Sequence, residues 1–220
     1  FPPATASETS DPEIAMKTWI HSGVRRFIRT NSAAMAVTSL YLAALPAIAF
    51  DPSPYPDGAP PDGTAAYPWK VDLPEDFDQI GSDGIHGTAA CYVLTRNLDC
   101  GNEDHRVRYA FSGTFDGNYR LVSRIHVDQP TETGVGLFSI LQNGAFVKRL
   151  AVVNSRFRAA GAMGAVVGSM GYGSTVEECY SWGNAVAAVS TNKQSIGGIT
   201  GGESYQRPAA VVRNCFTRDN

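Results

Sequence analysis

Apolar residues recur along the second half of this chain in spaced triplets: Val122, Ile125 and Val127; Val147, Leu150 and Val152; Val176, Cys179 and Ser181; Val212, Cys215 and Thr217. Within each copy the offsets are three and then two. The copies begin 25, 29 and 36 residues apart, from Val122 to Val147, to Val176, to Val212. An offset of two is the alternation of a strand, and a period of this length is that of stacked repeat architectures. No copy holds enough apolar side chain to bury a core alone, so each inward row must be covered by the copies before and after it. The pattern predicts an all-β solenoid with Val147, Val176 and Val212 in one buried column.

The rest of the chain divides around this region. Residues 51–63 are dense in Pro, Gly and Asp, a composition that sustains neither helix nor central strand, so residues 50–66 are expected to be a disordered Pro/Gly-rich linker. Trp69-Lys70-Val71-Asp72 suits a short strand. Residues 74–81, with Pro74 in the first turn and Gly81 at the end, suit a short helix capping the repeat domain, residues 67–220. Asp116-Gly117-Asn118 reads as a turn between apolar runs. Gly134-Val135-Gly136, Gly164-Ala165-Val166-Val167-Gly168 and Gly197-Gly198-Ile199-Thr200-Gly201 mark close backbone approaches at bends. A stack whose last triplet falls at Thr217 is expected to continue beyond Asn220, because an open strand edge without a polar cap is a liability.

Particular residues carry a family likeness. Tyr92-Val93-Leu94-Thr95 with Leu98-Asp99, then Phe111-Ser112-Gly113-Thr114-Phe115-Asp116-Gly117-Asn118, then Gly136-Leu137-Phe138, with later segments ending in Glu178-Cys179-Tyr180 and Asn214-Cys215-Phe216, resemble the GLUG-repeat family of bacterial secreted and surface proteins. Ser139 departs from the pattern where another Gly is expected, and the last spacing, Val176 to Val212, is long. The resemblance implies a right-handed parallel β-solenoid (β-helix) and an adhesin-like role in a surface or secreted protein. Its motifs are structural and bring no catalytic residue.

Upstream, Lys17, Arg25, Arg26 and Arg29 precede an apolar run at 33–45, followed by Pro46 and the small-x-small triplet Ala47-Ile48-Ala49. Basic, apolar and cleavage-site segments in that order are an export signal. Residues 16–49 are therefore read as a signal peptide starting at Met16 and cleaved between Ala49 and Phe50, with residues 1–15 a disordered leader or mis-assigned start. An uncleaved membrane anchor is the alternative, since the apolar run approaches spanning length.

Export bears on the four cysteines, because it places them in an oxidising compartment. Cys179 and Cys215 share a slot in successive triplets, about one strand spacing (roughly 4.8 Å) apart, within disulfide reach; two buried thiols packed as small hydrophobes is the other outcome. Cys91 and Cys100 meet only if the chain turns near Asn97.

Chemistry is otherwise sparse. His21, His86, His105 and His126 lack paired metal-ligand spacing, so no metal and no cofactor is expected. Carboxylates at Asp99, Asp116, Asp128, Glu177, Glu178 and Glu203 raise the question of glycoside chemistry. However, the slots of Glu177-Glu178 in neighbouring copies hold Lys148-Arg149 and Arg213-Asn214, which predicts alternating charges on an exposed sheet rather than clustered acids. No Gly-x-Ser-x-Gly elbow and no phosphate loop occur. A formal charge of -3 argues against a nucleic-acid surface, and a membrane enters only through the export signal. Tyr172, Tyr180, Trp182, Tyr205 and Phe216 either shield the ends of the stack or form a carbohydrate-binding strip. The resulting expectation is a non-enzymatic stalk or display module whose surface partner is an unidentified glycan or protein. A carbohydrate-binding or polysaccharide-processing solenoid, and a repeat region attached to a secreted peptidase, are the alternatives.

Overall fold

The computed structural model describes residues 50–189, 195–203 and 209–220. The leader and signal segments, His21, Ala49 and Tyr205 lie outside the described residues. Among those described the chain is all-β apart from one helical turn, Asp76–Gln79, and no helix is long and apolar enough to cross a membrane. Every strand-to-strand ladder is parallel.

The largest sheet has nine strands. One row runs Trp69–Val71, Cys91–Leu94, Thr114–Ser123, Phe146–Val153, Thr175–Glu177, Val211–Arg213. The two longest of these extend into a second row, where Leu98–Asp99, Tyr180–Trp182 and Phe216–Arg218 join them. A four-stranded sheet orders Val107–Phe111, Phe138–Leu141, Val167–Met170 and Thr200–Glu203; a three-stranded sheet orders His126–Gln129, Arg156–Ala159 and Ala185–Ala188. Met163–Gly164 and Ile196–Gly197 pair as a small ribbon.

Register places like on like. Tyr92, Phe115, Val147, Val176 and Val212 form one column. Leu98, Val122, Val152, Ser181 and Thr217 form a second, and Val127, Phe157 and Val186 a third. Val147 and Val176 are fully buried, whereas Val212, in the same column, is 45% exposed.

The first triplet of the sequence reading requires correction. Val122, Ile125 and Val127 do not overlie Val147, Leu150 and Val152. Val122 pairs with Val152 and Val127 with Phe157, and Phe115 fills the slot aligned with Val147. The reason is that the offset of three marks a corner, where one residue turns the chain at positive φ, and there are two such corners in succession. Arg149 (φ 55°) separates Val147 from Leu150, and Asn154 (φ 50°) separates Val152 from Ser155. The same spacing therefore occurs twice per repeat. Asp116-Gly117-Asn118 is likewise not an inter-strand turn. It lies inside Thr114–Ser123 as a bulge, where Asp116 to Arg120 spans the register of Lys148 to Leu150.

Aromatic rings fill the core between sheets. Phe138 meets Phe111 at 5.3 Å and Phe115 at 5.2 Å between centroids, and Phe77 from the helical turn packs on Phe115 at 5.8 Å. The sheets close up where side chains are absent: a β-carbon on Gly168 would lie 2.3 Å from the Gly134 carbonyl carbon.

Residues 51–66 are not a free linker, which corrects the sequence expectation. Asp51 bridges to Lys70, Asp62 and Gly63 N–H donate to the Tyr67 carbonyl, and the Tyr55 hydroxyl donates to Pro68 O. Short Asx and proline turns fold the segment back onto the first strand, where its aromatic rings find partners. At its start the Phe50 ring is buried, stacked on His86 at 4.1 Å beside Trp69 and Tyr92. Asp76, fully buried at the head of the helical turn, accepts the backbone N–H groups of Phe50 (2.7 Å), Asp72 (2.7 Å) and Leu73 (2.9 Å).

Phe115→Ala is expected to cost about 3–5 kcal/mol as a core truncation. Val212→Ala, in the same column but half-exposed, should cost less than about 1 kcal/mol. Urea unfolding of the two variants checks this, and equal losses would contradict a column whose burial varies along its length.

Candidate functional site

Among the described residues, a surface groove sits over the first of the two corners. Tyr119 (φ 57°), Arg149 (φ 55°), Glu178 (φ 52°) and Asn214 (φ 54°) occupy equivalent corner positions in four successive rows. The left-handed region costs a residue with a β-carbon roughly 1–2 kcal/mol, so these corners are held by the ladders on either side. The bulge at Gly117-Asn118 pushes Tyr119 outward, and its ring is 73% exposed.

A shallow groove of about 180 Å³ runs beside this corner, walled by Tyr119, Arg149, Glu178 and Tyr180 and floored by Leu150 and Ala151. The Tyr119 hydroxyl donates to Glu178 Oε2 at 3.2 Å, and the Arg149 guanidinium lies 5.4 Å from the centre of the Tyr119 ring. Tyr180 stacks almost parallel to Phe216, with ring centroids 5.5 Å apart. Arg120 reaches the groove from the bulged strand. Exposed ring faces bordered by fixed donors and acceptors suit a flat, hydroxyl-rich ligand.

Charge around the groove is ordered by register. Asp116, Lys148, Glu177 and Arg213 follow one another across four strands. Lys148 lies 3.6 Å from Asp116 and Arg213 2.9 Å from Glu177; Arg149 also ion-pairs with Asp116. The alternation read from the sequence therefore extends one strand further, to Asp116. Asp99 is held by Arg124 through bonds of 2.6 and 2.7 Å, and Asp128 by Arg158 at 2.7 Å. The Arg124 hydrogen bonds pull the Asp99 carboxyl below its usual range. At Asp116 burial opposes the charge, but hydrogen bonds from Arg149 and the Asn118 N–H outweigh it and the net shift is also downward.

Cys179 and Cys215 lie side by side, one position before the paired Tyr180 and Phe216. Both are free thiols whose S–H groups point to backbone carbonyls of their own strands. Cys179 Sγ donates to Glu177 O at 3.3 Å, and Cys215 Sγ to Arg213 O at 3.2 Å. The interaction between the neighbouring thiols, with burial, pushes the Cys179 thiol up, and the same interaction lowers that of Cys215. Cys91 and Cys100 are not brought together: Cys91 pairs with Thr114 at one end of a strand, and Cys100 bonds to Ser123 at its other end.

His86 is engaged by Asp83 at 2.6 Å and His105 by Asp78 at 2.7 Å and Glu103 at 3.6 Å, while His126 is exposed. Among the described residues no three His, Cys, Asp or Glu side chains gather as a metal site. Trp182 is half-exposed and donates to Asp219; Tyr172 lies at a different turn, also at positive φ. Glu203 ends its strand. Sequence reasoning missed Tyr119, whose exposure depends on the bulge. It also missed Arg106, a fully buried guanidinium bound to Asp104 (2.8 Å), Glu132 (2.9 Å) and Ser139 Oγ (3.2 Å). The spacing of these partners gives no local signal.

No protein-family profile and no solved structure matches the chain. It is 26% identical over 156 residues, 64% of its length, to Halomucin of Haloquadratum walsbyi, and spans about 2% of the length of that protein.

Glu177→Lys should lower the urea midpoint, because it replaces the Arg213 ion pair with three like charges in one row. The lowered pKa values of Asp99 and Asp116 mean that the native state binds fewer protons than the unfolded chain. Their stabilisation should be complete above about pH 4 and lost as pH falls through the lowered values. Asp99→Asn should flatten part of that acid limb in pH-dependent melting.

Proposed function

We propose that this chain is an exported, right-handed parallel β-solenoid of the GLUG-repeat kind, serving without catalysis as a stalk or display unit of a larger surface or secreted, adhesin-like protein. The observation that carries this reading is the five-deep column from Tyr92 to Val212, built from segments spaced 23 to 36 residues apart (92 to 115, 176 to 212) and joined only by parallel ladders. Such a column is what repeating windings produce, and repeats supply length and an extended outer face. The similarity to a small part of Halomucin fits a unit carried within a much longer chain. Carboxylates on the outer face are tied to Arg and Lys, which suits sheet stability better than acid–base chemistry.

A second reading, glycan contact, is favoured by the Tyr119–Tyr180 groove, where ring faces and the Arg120 guanidinium would meet a sugar and its polar substituents. The two readings are compatible, since a display unit needs something to contact.

Envelope fractionation and surface labelling of cells producing the full chain should find it outside the cytoplasm; retention in the cytoplasm would overturn the export reading. On a glycan array, Tyr119→Ala and Arg120→Ala should weaken any retained glycan at least tenfold without changing the melting temperature. Unchanged binding would remove the groove from consideration.

A further inference from the structure

Phe50 is buried, yet it sits in an unfavourable backbone conformation and donates its N–H to a buried carboxylate. Three observations bear on this residue and its partner, Asp76. Its φ is 68°, a value at which an internal residue with a bulky side chain crowds the preceding carbonyl. Its nitrogen lies 2.7 Å from Asp76 Oδ1, while Asp76 Oδ2 is occupied by the N–H groups of Asp72 and Leu73. Asp76 itself is fully buried, and the charge acting on it is the like charge of Asp72. Burial pushes its carboxyl up from the usual range. Among the described residues, this buried carboxylate faces amide donors and another acid but no cation that would balance it.

Residues 47–49, Ala-Ile-Ala, end in the small-x-small signature of export cleavage, and the residue that follows is Phe50. We infer that Phe50 is the processed N-terminus of the exported chain, and that its new α-ammonium forms an ion pair with Asp76 that locks the start of the fold. The inference rests on the export reading above. The step is a hydrolysis: water adds across the Ala49–Phe50 peptide bond, the C–N bond breaks, Ala49 keeps a carboxylate and Phe50 gains an ammonium. No oxidant or reductant is involved. Water is the co-reactant, and a membrane-bound export peptidase supplies the catalysis.

Cleavage answers all three observations. An N-terminal residue has no preceding carbonyl, so its φ and the associated crowding cease to exist. The amide donor becomes a charged donor to the same oxygen, which strengthens the bond. The Asp76 carboxylate gains its opposite charge. Because the Phe50 ring is enclosed by Trp69, His86 and Tyr92, the cut must precede folding, as it does for a chain exported unfolded. The ring then anchors the terminus, and the helical turn Asp76–Gln79 presents the counter-ion from its first residue.

The full chain, produced in an exporting bacterial host and recovered from outside the cytoplasm, provides the test. Intact-mass and N-terminal peptide analysis should show Phe50 as the first residue. An exported protein that begins elsewhere overturns the inference while leaving the export reading intact, whereas absence of exported protein defeats the export reading itself. Acetic anhydride labelling of the same protein should modify the Phe50 amine at least tenfold more slowly in the native state than in urea. Asp76→Asn should restore most of the lost reactivity. Equal native and unfolded rates in the unmutated protein would overturn the ion pair even if the Asp76 variant failed to fold.

Discussion

The constraint on which everything else depends is that no strand here can satisfy itself. Each row of backbone donors and acceptors is matched by a row contributed from a segment some 23 to 36 residues away (Tyr92 to Phe115, Val176 to Val212), always in parallel. Parallel pairing between distant segments repeats the same side-chain orientation from strand to strand. Once Phe115 faces inward, Val147 and Val176 must do so too, and once Asp116 faces outward, Lys148, Glu177 and Arg213 follow. Core and surface are thus two readings of a single register. The apolar columns supply the cohesion, and the charged column keeps the outer face soluble with the sign alternating.

Corners let the rows change direction without breaking this repetition. Positive φ at Arg149 and Asn154, at Glu178 and Gly183, and at Asn214 and Asp219 recurs at matching places along successive strands. Asn, Asp and Gly accept that conformation readily, whereas Arg149, Glu178 and Tyr119 are held there by the ladders around them. Where the chain carries extra residues at a corner, as at Gly117-Asn118, the side chain that follows is displaced into solvent. The groove owes its aromatic wall to that displacement.

Much of the fold was legible in the sequence because its period is carried by inward side chains. Val147, Val176 and Val212, with Val152, Ser181 and Thr217, align by their spacing in the sequence alone. The first copy is ambiguous by one corner because two consecutive corners impose the same spacing, and nothing local distinguishes Val147-Leu150-Val152 from Val152-Ser155-Phe157. The burial of Phe111, Phe138 and Phe157 across sheets was not legible, since contacts between sheets follow no fixed offset. Segment 51–66 misled for another reason: its prolines and glycines exclude regular structure, but not turns packed on a strand. At the candidate site, the charge alternation and the proximity of Cys179 to Cys215 followed from slot equivalence. Tyr119 and the buried Arg106 network did not, because each depends on chain segments meeting rather than on a repeated position.

The unequal intervals between aligned residues have an evolutionary consequence. From Phe115 to Val147, from Val147 to Val176 and from Val176 to Val212 the chain spends 32, 29 and 36 residues, yet the pairing stays in step. Alignment is decided by neighbouring strands rather than by the distance travelled between them, so connecting loops are free to lengthen or shorten independently. A protein organised in this way can acquire new surface features by loop insertion alone, and the scaffold beneath does not have to be redesigned each time.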